Sequence, residues 1–93
     1  MFEAHQNGGG ELVLSGRLDA AQVDKAKAAF DVLQGTTVVN CAALEYISSA
    51  GLGVIVIAQK RLRGLGGTLQ LTHLSPHVRN VFHYAGLDKV FGL

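Results

Sequence analysis

Tyr46-Ile47-Ser48-Ser49-Ala50-Gly51-Leu52-Gly53-Val54-Ile55 is the stretch from which the rest of the chain can be read. Two adjacent hydroxyls stand where a loop becomes a helix, and the apolar run Val54 to Ala58 follows almost at once. The first turn of a helix has backbone N–H groups without internal partners and carries the positive end of the dipole. A serine there can cap the helix, and a phosphate carried on such a serine would be electrostatically favoured. Ala50, Gly51 and Gly53 are small, which predicts that both serines stay open to an approaching protein. Ala50 to Arg63 has the length of a helix, with Gly64 as its stop. Leu52, Ile55 and Val56 would suffice for a core stripe, yet Val54 and Ile57 lie elsewhere on the circumference. A helix apolar nearly all round is either buried or part of an interface. Its polar residues, Gln59, Lys60, Arg61 and Arg63, are confined to the last two turns, where cations suit the helix C-terminus.

Working outward, Thr36 to Asn40 is a β-branched run of the kind expected for an inner strand, and residues 41–47 read as a connection to the serines. Upstream, Phe2–His5 and Glu11–Ser15 flank the turn Gly8-Gly9-Gly10 as a hairpin. Asp19 is an N-cap for a helix from Ala20 to about Leu33, with Val23, Ala26, Ala29, Phe30 and Leu33 at helical spacing. Gly35 is placed to close it. Downstream, Thr68 to Thr72 alternates as a strand. Ser75-Pro76 opens a helix to about Tyr84, and Gly86 stops it. Asp88 to Gly92 reads as a short final extended segment. The order β-β-α-β-α-β-α-β defines an α/β domain over residues 1–93, with strands parallel where helices separate them.

Composition narrows the function. The 93 residues are 48% hydrophobic and only 16% charged, so disorder is excluded and part of the surface must be neutral or apolar, which hints at a partner-binding face. A net charge of +1 offers no basic stripe for a phosphate backbone, so nucleic acid is not an expected partner. The apolar run Val54 to Ala58 is far too short to cross a bilayer, and no signal-peptide pattern opens the chain. No direct membrane contact is expected. Cys41, the lone cysteine, agrees with a reducing compartment and reads as a small buried hydrophobe. A cytoplasmic domain is the expectation.

Catalytic and ligand motifs do not fit. No Gly-x-Ser-x-Gly elbow surrounds Ser49, Val56 stands where a dinucleotide fingerprint needs glycine, and no Gly-Lys-Ser/Thr loop exists. Pro76 separates His73 from His77 and His83, so no single helix face presents all three to a metal. A hydrolase would need a base near Ser49, and only fold analogy offers one, Asp19. The chain is therefore expected to be no enzyme and to need no cofactor or metal.

Ile47-Ser48-Ser49-Ala50-Gly51-Leu52-Gly53 resembles the signature of STAS domains in the anti-sigma-factor antagonist family. Leu14-Ser15-Gly16-Arg17-Leu18-Asp19 is similar to that family's strand ending in Gly-x-Leu-Asp. Gly66-Gly67-Thr68-Leu69-Gln70-Leu71 resembles its later Gly-Gly turn and strand. Ser75-Pro76-His77-Val78-Arg79-Asn80-Val81-Phe82 and Ala85-Gly86-Leu87 resemble its last helix and the Gly-Leu beyond. These motifs stand in order over nearly the whole chain. The resemblance implies a small STAS-like fold: a mixed β-sheet of four to five strands with helices packed against it.

It also implies a partner switch. The unphosphorylated protein would bind an anti-sigma factor that is also a serine kinase and so release that kinase's target. Phosphorylation at Ser49, two residues before Gly51, would turn binding off, and a serine phosphatase of the same pathway would reverse it. Ser48, standing where many members have Asp, is the alternative phosphosite. The implied partner surface comprises Asp19, Ser48, Ser49, Gly51, Gly53 and Ile57. The other reading of the same fold is a STAS subunit of a stressosome-like or membrane-transport assembly without a sigma-factor target.

Overall fold

The computed structural model describes residues 1–93. Its four strands are β1 (Phe2–Gln6), β2 (Leu12–Leu18), β3 (Thr37–Ile47) and β4 (Leu69–Thr72). Its helices are α1 (Val23–Asp31), α2 (Ser49–Gly64), α3 (Pro76–Tyr84) and α4 (Asp88–Phe91), with a short 3₁₀ turn, Ala20–Gln22, ahead of α1. The strands form one mixed sheet in the order β1-β2-β3-β4. The β1–β2 pair is antiparallel, whereas β2–β3 and β3–β4 are parallel. Parallel neighbours need crossovers, and α1 and α2 supply them and pack against each other. The expected mixed α/β sheet is the one observed.

Alternation along β2 places Leu12, Leu14, Gly16 and Leu18 in the interior, while Val13, Ser15 and Arg17 are more exposed. One hydrophobic core joins Leu12, Leu14 and Leu18 to Ala26 and Phe30 of α1, Leu52, Ile55 and Leu62 of α2, and Val78 and Phe82 of α3. β3 is longer than the sequence suggests. It continues through residues 41–47, which the sequence reading assigned to a connection. Buried Cys41, Leu44 and Ile47 are three apart, a spacing foreign to a regular strand. The structure reconciles it with two register shifts against β2, between Val13/Ser15 and between Gly16/Arg17. At each, β3 carries one extra residue, so the next apolar side chain returns to the core. Asn40 Oδ1 accepts the Ala42 N–H at 3.0 Å and holds the first bulge.

Two further expectations are corrected. The helix expected from Ala20 begins as a 3₁₀ turn and becomes α-helical only at Val23. The expected final extended segment is instead α4. Phe91 meets Phe82 edge to face with centroids 5.3 Å apart, and Gly92 ends the turn at φ 68°.

Gln59, which the sequence places among the polar residues of the last two turns of α2, is buried. Its Nε2 donates to Thr68 Oγ1 at 2.9 Å and to the Val90 carbonyl at 3.1 Å. Its Oε1 accepts the Leu69 N–H at 2.6 Å. One side chain thereby ties α2 to β4 and α4. Gln59→Leu keeps the bulk and leaves these groups unpaired in the interior. Urea unfolding is expected to show a loss of about 2–4 kcal/mol; an unchanged midpoint would contradict the tie.

Candidate functional site

The parallel strands β2 and β3 end side by side, Leu18 opposite Ile47. Asp19 and Ser48 are the next residues on each, so the topology itself brings them to one edge of the sheet. The Ser48 N–H donates to the Leu18 carbonyl at 2.9 Å and stitches the two exits together. Ser48 is the N-cap of α2: its backbone is extended, and its Oγ accepts the Gly51 N–H at 3.1 Å. Its carbonyl takes the Leu52 N–H at 2.8 Å, the first bond of the helix. Ser49 is the first helical residue, exposed, and its hydroxyl makes no hydrogen bond within the chain. The two hydroxyls are therefore unlike. One is spent on the helix and half-buried, while the other is free at the positive end of the dipole.

Asp19 plays the same part on the other exit. Its Oδ1 accepts the Ala21 N–H at 3.1 Å and caps the 3₁₀ turn. Beside these exits Arg17 lies over the Tyr46 ring at 4.3 Å from its centroid, and His77 stacks with the same ring, centroids 6.4 Å apart. Sequence reading did not find this stack, because Tyr46 falls inside the segment taken for a connection.

The glycines separate into two kinds. Gly51, expected on the partner surface, is buried. A Cβ there would lie 2.6 Å from Leu18 Cγ and 2.8 Å from the Leu18 carbonyl oxygen, so the glycine lets the helix approach the strand end. It shapes the site from beneath and offers no contact surface. Gly53 is half-exposed, and a Cβ there would meet nothing within 4 Å. It lines a groove of about 240 Å³ between α1 and α2, together with Val23, Phe30, Ala50, Val54 and Ile57. Ile57 is 67% exposed. The α1 side of this groove was read from the sequence only as core, since Val23 and Phe30 share the stripe of Ala26.

Arg61, at the far end of the groove, donates through Nη2 to the carbonyls of Phe30 and Leu33 at 2.8 and 2.9 Å. It completes the C-terminus of α1, whose own last turn has no basic residue. α2 contains no acidic residue, and Lys60 and Arg63 are exposed beside Arg61. Cys41 is buried in the core, and desolvation pushes its thiol up to about 12, which keeps it protonated and inert. No helix is long and apolar enough to cross a membrane.

A family profile described as "Mlab, STAS domain" matches residues 1–93. The chain belongs to the STAS domain family. It is similar to the putative anti-sigma factor antagonist BtrV of Bordetella bronchiseptica, at 43% identity over 72 residues. That match covers 77% of this chain and 56% of BtrV, so the STAS chain spans little more than half of that relative's length. It is also similar to the anti-sigma F factor antagonist of Lysinibacillus sphaericus, at 33% identity over 79 residues, 80% of this chain and 68% of that protein. Among solved structures, the anti-sigma factor antagonist SpoIIAA in its unphosphorylated form has the same fold. The TM-score is 0.71 at 24% sequence identity, over 100% of this chain and 98% of that one.

The contact between Gly51 and Leu18 sets where the STAS helix starts. Alanine at an ordinary helical position gains over glycine by roughly 0.5–1 kcal/mol. Gly51→Ala is expected to lose about 1–3 kcal/mol, because overpacking outweighs that gain. A denaturant titration in which Gly51→Ala is the more stable protein would contradict the close approach.

Proposed function

We propose that this STAS domain is an anti-sigma-factor antagonist that works by partner switching. Unphosphorylated, it binds an anti-sigma factor that is also a serine kinase, and the kinase's target is released. Phosphorylation at Ser49 turns binding off, and a phosphatase of the same pathway restores it. The observation that carries this reading is the division of labour between two adjacent serines. Ser48 Oγ holds the Gly51 N–H, while Ser49 Oγ is exposed and unengaged. A kinase acting here has one hydroxyl free for phosphoryl transfer without breaking a cap.

The chemistry of the product fits a switch. A phosphoserine brings a charge of about −1.5 to −2 at pH 7. At the first turn of α2 that charge meets unpaired N–H groups and the positive dipole end, so the helix tolerates it. What changes is the surface: a face of α2 without any acid becomes strongly negative at one end. The domain acts by binding and has no turnover of its own. Asp19, the one carboxylate that sequence offered as a base for Ser49, is occupied in capping Ala21. The nucleotide and Mg²⁺ of the transfer belong to the kinase, and the reaction takes place in the cytoplasm. The names of the Bordetella and Lysinibacillus relatives support the same role.

Calorimetric titration of the purified anti-sigma factor/kinase tests the reading. Ser49→Ala should bind like the unmodified domain, whereas Ser49→Asp should bind at least tenfold more weakly, about 1.4 kcal/mol. Equal affinities for the two variants would contradict it.

A further inference from the structure

β4 is the last strand of the sheet and pairs with β3 alone. In a strand, alternate residues turn their N–H and C=O groups toward the same neighbour. The Thr37 N–H donates to the Thr68 carbonyl at 2.9 Å, so Thr68, Gln70 and Thr72 face β3, while Leu69 and Leu71 face outward. The Leu69 N–H is closed off by Gln59 Oε1 at 2.6 Å. Leu71 keeps its side chain in the core, but no group of the chain beyond β4 closes its N–H or C=O. Sheet edges are commonly covered by a helix or loop. Here α4 packs beside β4 and leaves a cleft of about 400 Å³ between them.

The charge of this cleft is one-sided. Arg63, from the end of α2, and Lys89, from α4, line it, and no Asp or Glu does. Arg63 Nη2 donates to the Val90 carbonyl at 3.1 Å, which holds the guanidinium at the cleft and leaves its other donors free. Lys89 is exposed and has no ion pair, and its neighbour Asp88 is taken by His83 at 2.7 Å. An unpaired strand edge beside two cations is complementary to an extended acidic segment. The backbone of such a segment can pair with Leu71, and acidic residues two apart share one of its faces. A second copy of the domain is the wrong complement, since two-fold pairing of β4 with itself sets the same cations against each other.

We propose that the β4 edge takes an extended acidic segment of a partner protein as an added strand, with Arg63 and Lys89 facing acidic residues at alternate positions. This site is separate from the partner-switching surface. Ser49 and Arg63 stand at opposite ends of α2, about 21 Å apart along the helix. The domain can therefore hold such a partner whatever the state of Ser49.

The test is an NMR titration of the isotope-labelled domain with the capped peptide acetyl-Thr-Val-Glu-Val-Glu-Val-Thr-amide, and with its counterpart carrying lysine for both glutamates. The acidic peptide should shift the Leu71 amide and slow its hydrogen exchange, and the lysine peptide should do neither. Lys89→Glu, and Arg63→Gln, which can still donate to Val90, should each weaken the acidic peptide by roughly threefold or more, with the rest of the spectrum unchanged. Ser49→Asp should bind it as the wild type does. No response of Leu71 to millimolar acidic peptide would overturn the proposal, as would an equal response to the lysine peptide or undiminished binding in both charge variants. Free glutamate giving the same shifts at equal concentration would assign the cleft to a small anion and overturn strand addition. A Leu71 shift that grows with domain concentration, without peptide, would assign the edge to a second copy and overturn it too. Loss of the peptide in Ser49→Asp would contradict the separation of the two sites.

Discussion

The first turn of α2 lies so close to the end of β2 that a glycine alone fits between them. Gly51 rests on the Leu18 side chain and carbonyl, and the Ser48 N–H bonds that same carbonyl. Two parallel strands therefore leave the sheet locked together, and the helix after the second has a fixed starting residue. Shifting that start by one position would place a Cβ against Leu18 or move Ser48 out of capping range. The unlike fates of the two serines follow from this contact. Ser48 is committed to the helix because Gly51 is near enough to donate to it, and Ser49 is left exposed.

The rest of the molecule keeps this junction in place. Two bulges let β3 run eleven residues while returning Cys41, Leu44 and Ile47 to the interior, which delivers Ser48 beside Leu18 in register. At the other end of α2, Gln59 ties the helix to β4 and α4, and Arg61 finishes α1 with two carbonyl bonds. α2 is thus clamped at both ends. Between the clamps its outer face carries Gly53 and Ile57, which the core does not use, and Val54, which packs at the core's edge; this stretch borders the groove. A rigid helix with an unspent face suits recognition by another protein, since little is lost in ordering it on binding.

Much of this was legible in the residues. The serine pair before a small-residue turn, Asp19 before an amphipathic run and Ser75-Pro76 each announce a helix start through local hydrogen bonding. All three side chains are found capping. What escaped is tertiary in origin. Cys41, Leu44 and Ile47 do not alternate, because bulges are invisible without the partner strand. Gln59 looks like an exposed polar residue until β4 and α4 are seen to supply its partners. Gly51 and Gly53 look alike in sequence, and only the position of Leu18 shows that one is required by packing and the other is not. The last four-residue helix has no periodic signal of its own and exists because Phe91 finds Phe82.

The central claim is that the fold spends Ser48 on the cap and presents Ser49. Phosphate mapping by mass spectrometry, after incubation with the kinase and ATP, tests it most directly. The account predicts label on Ser49, retained in Ser48→Asp, whose carboxylate can serve as the cap, and lost in Ser49→Ala. Label on Ser48 of the wild-type domain, or on neither serine, would contradict it.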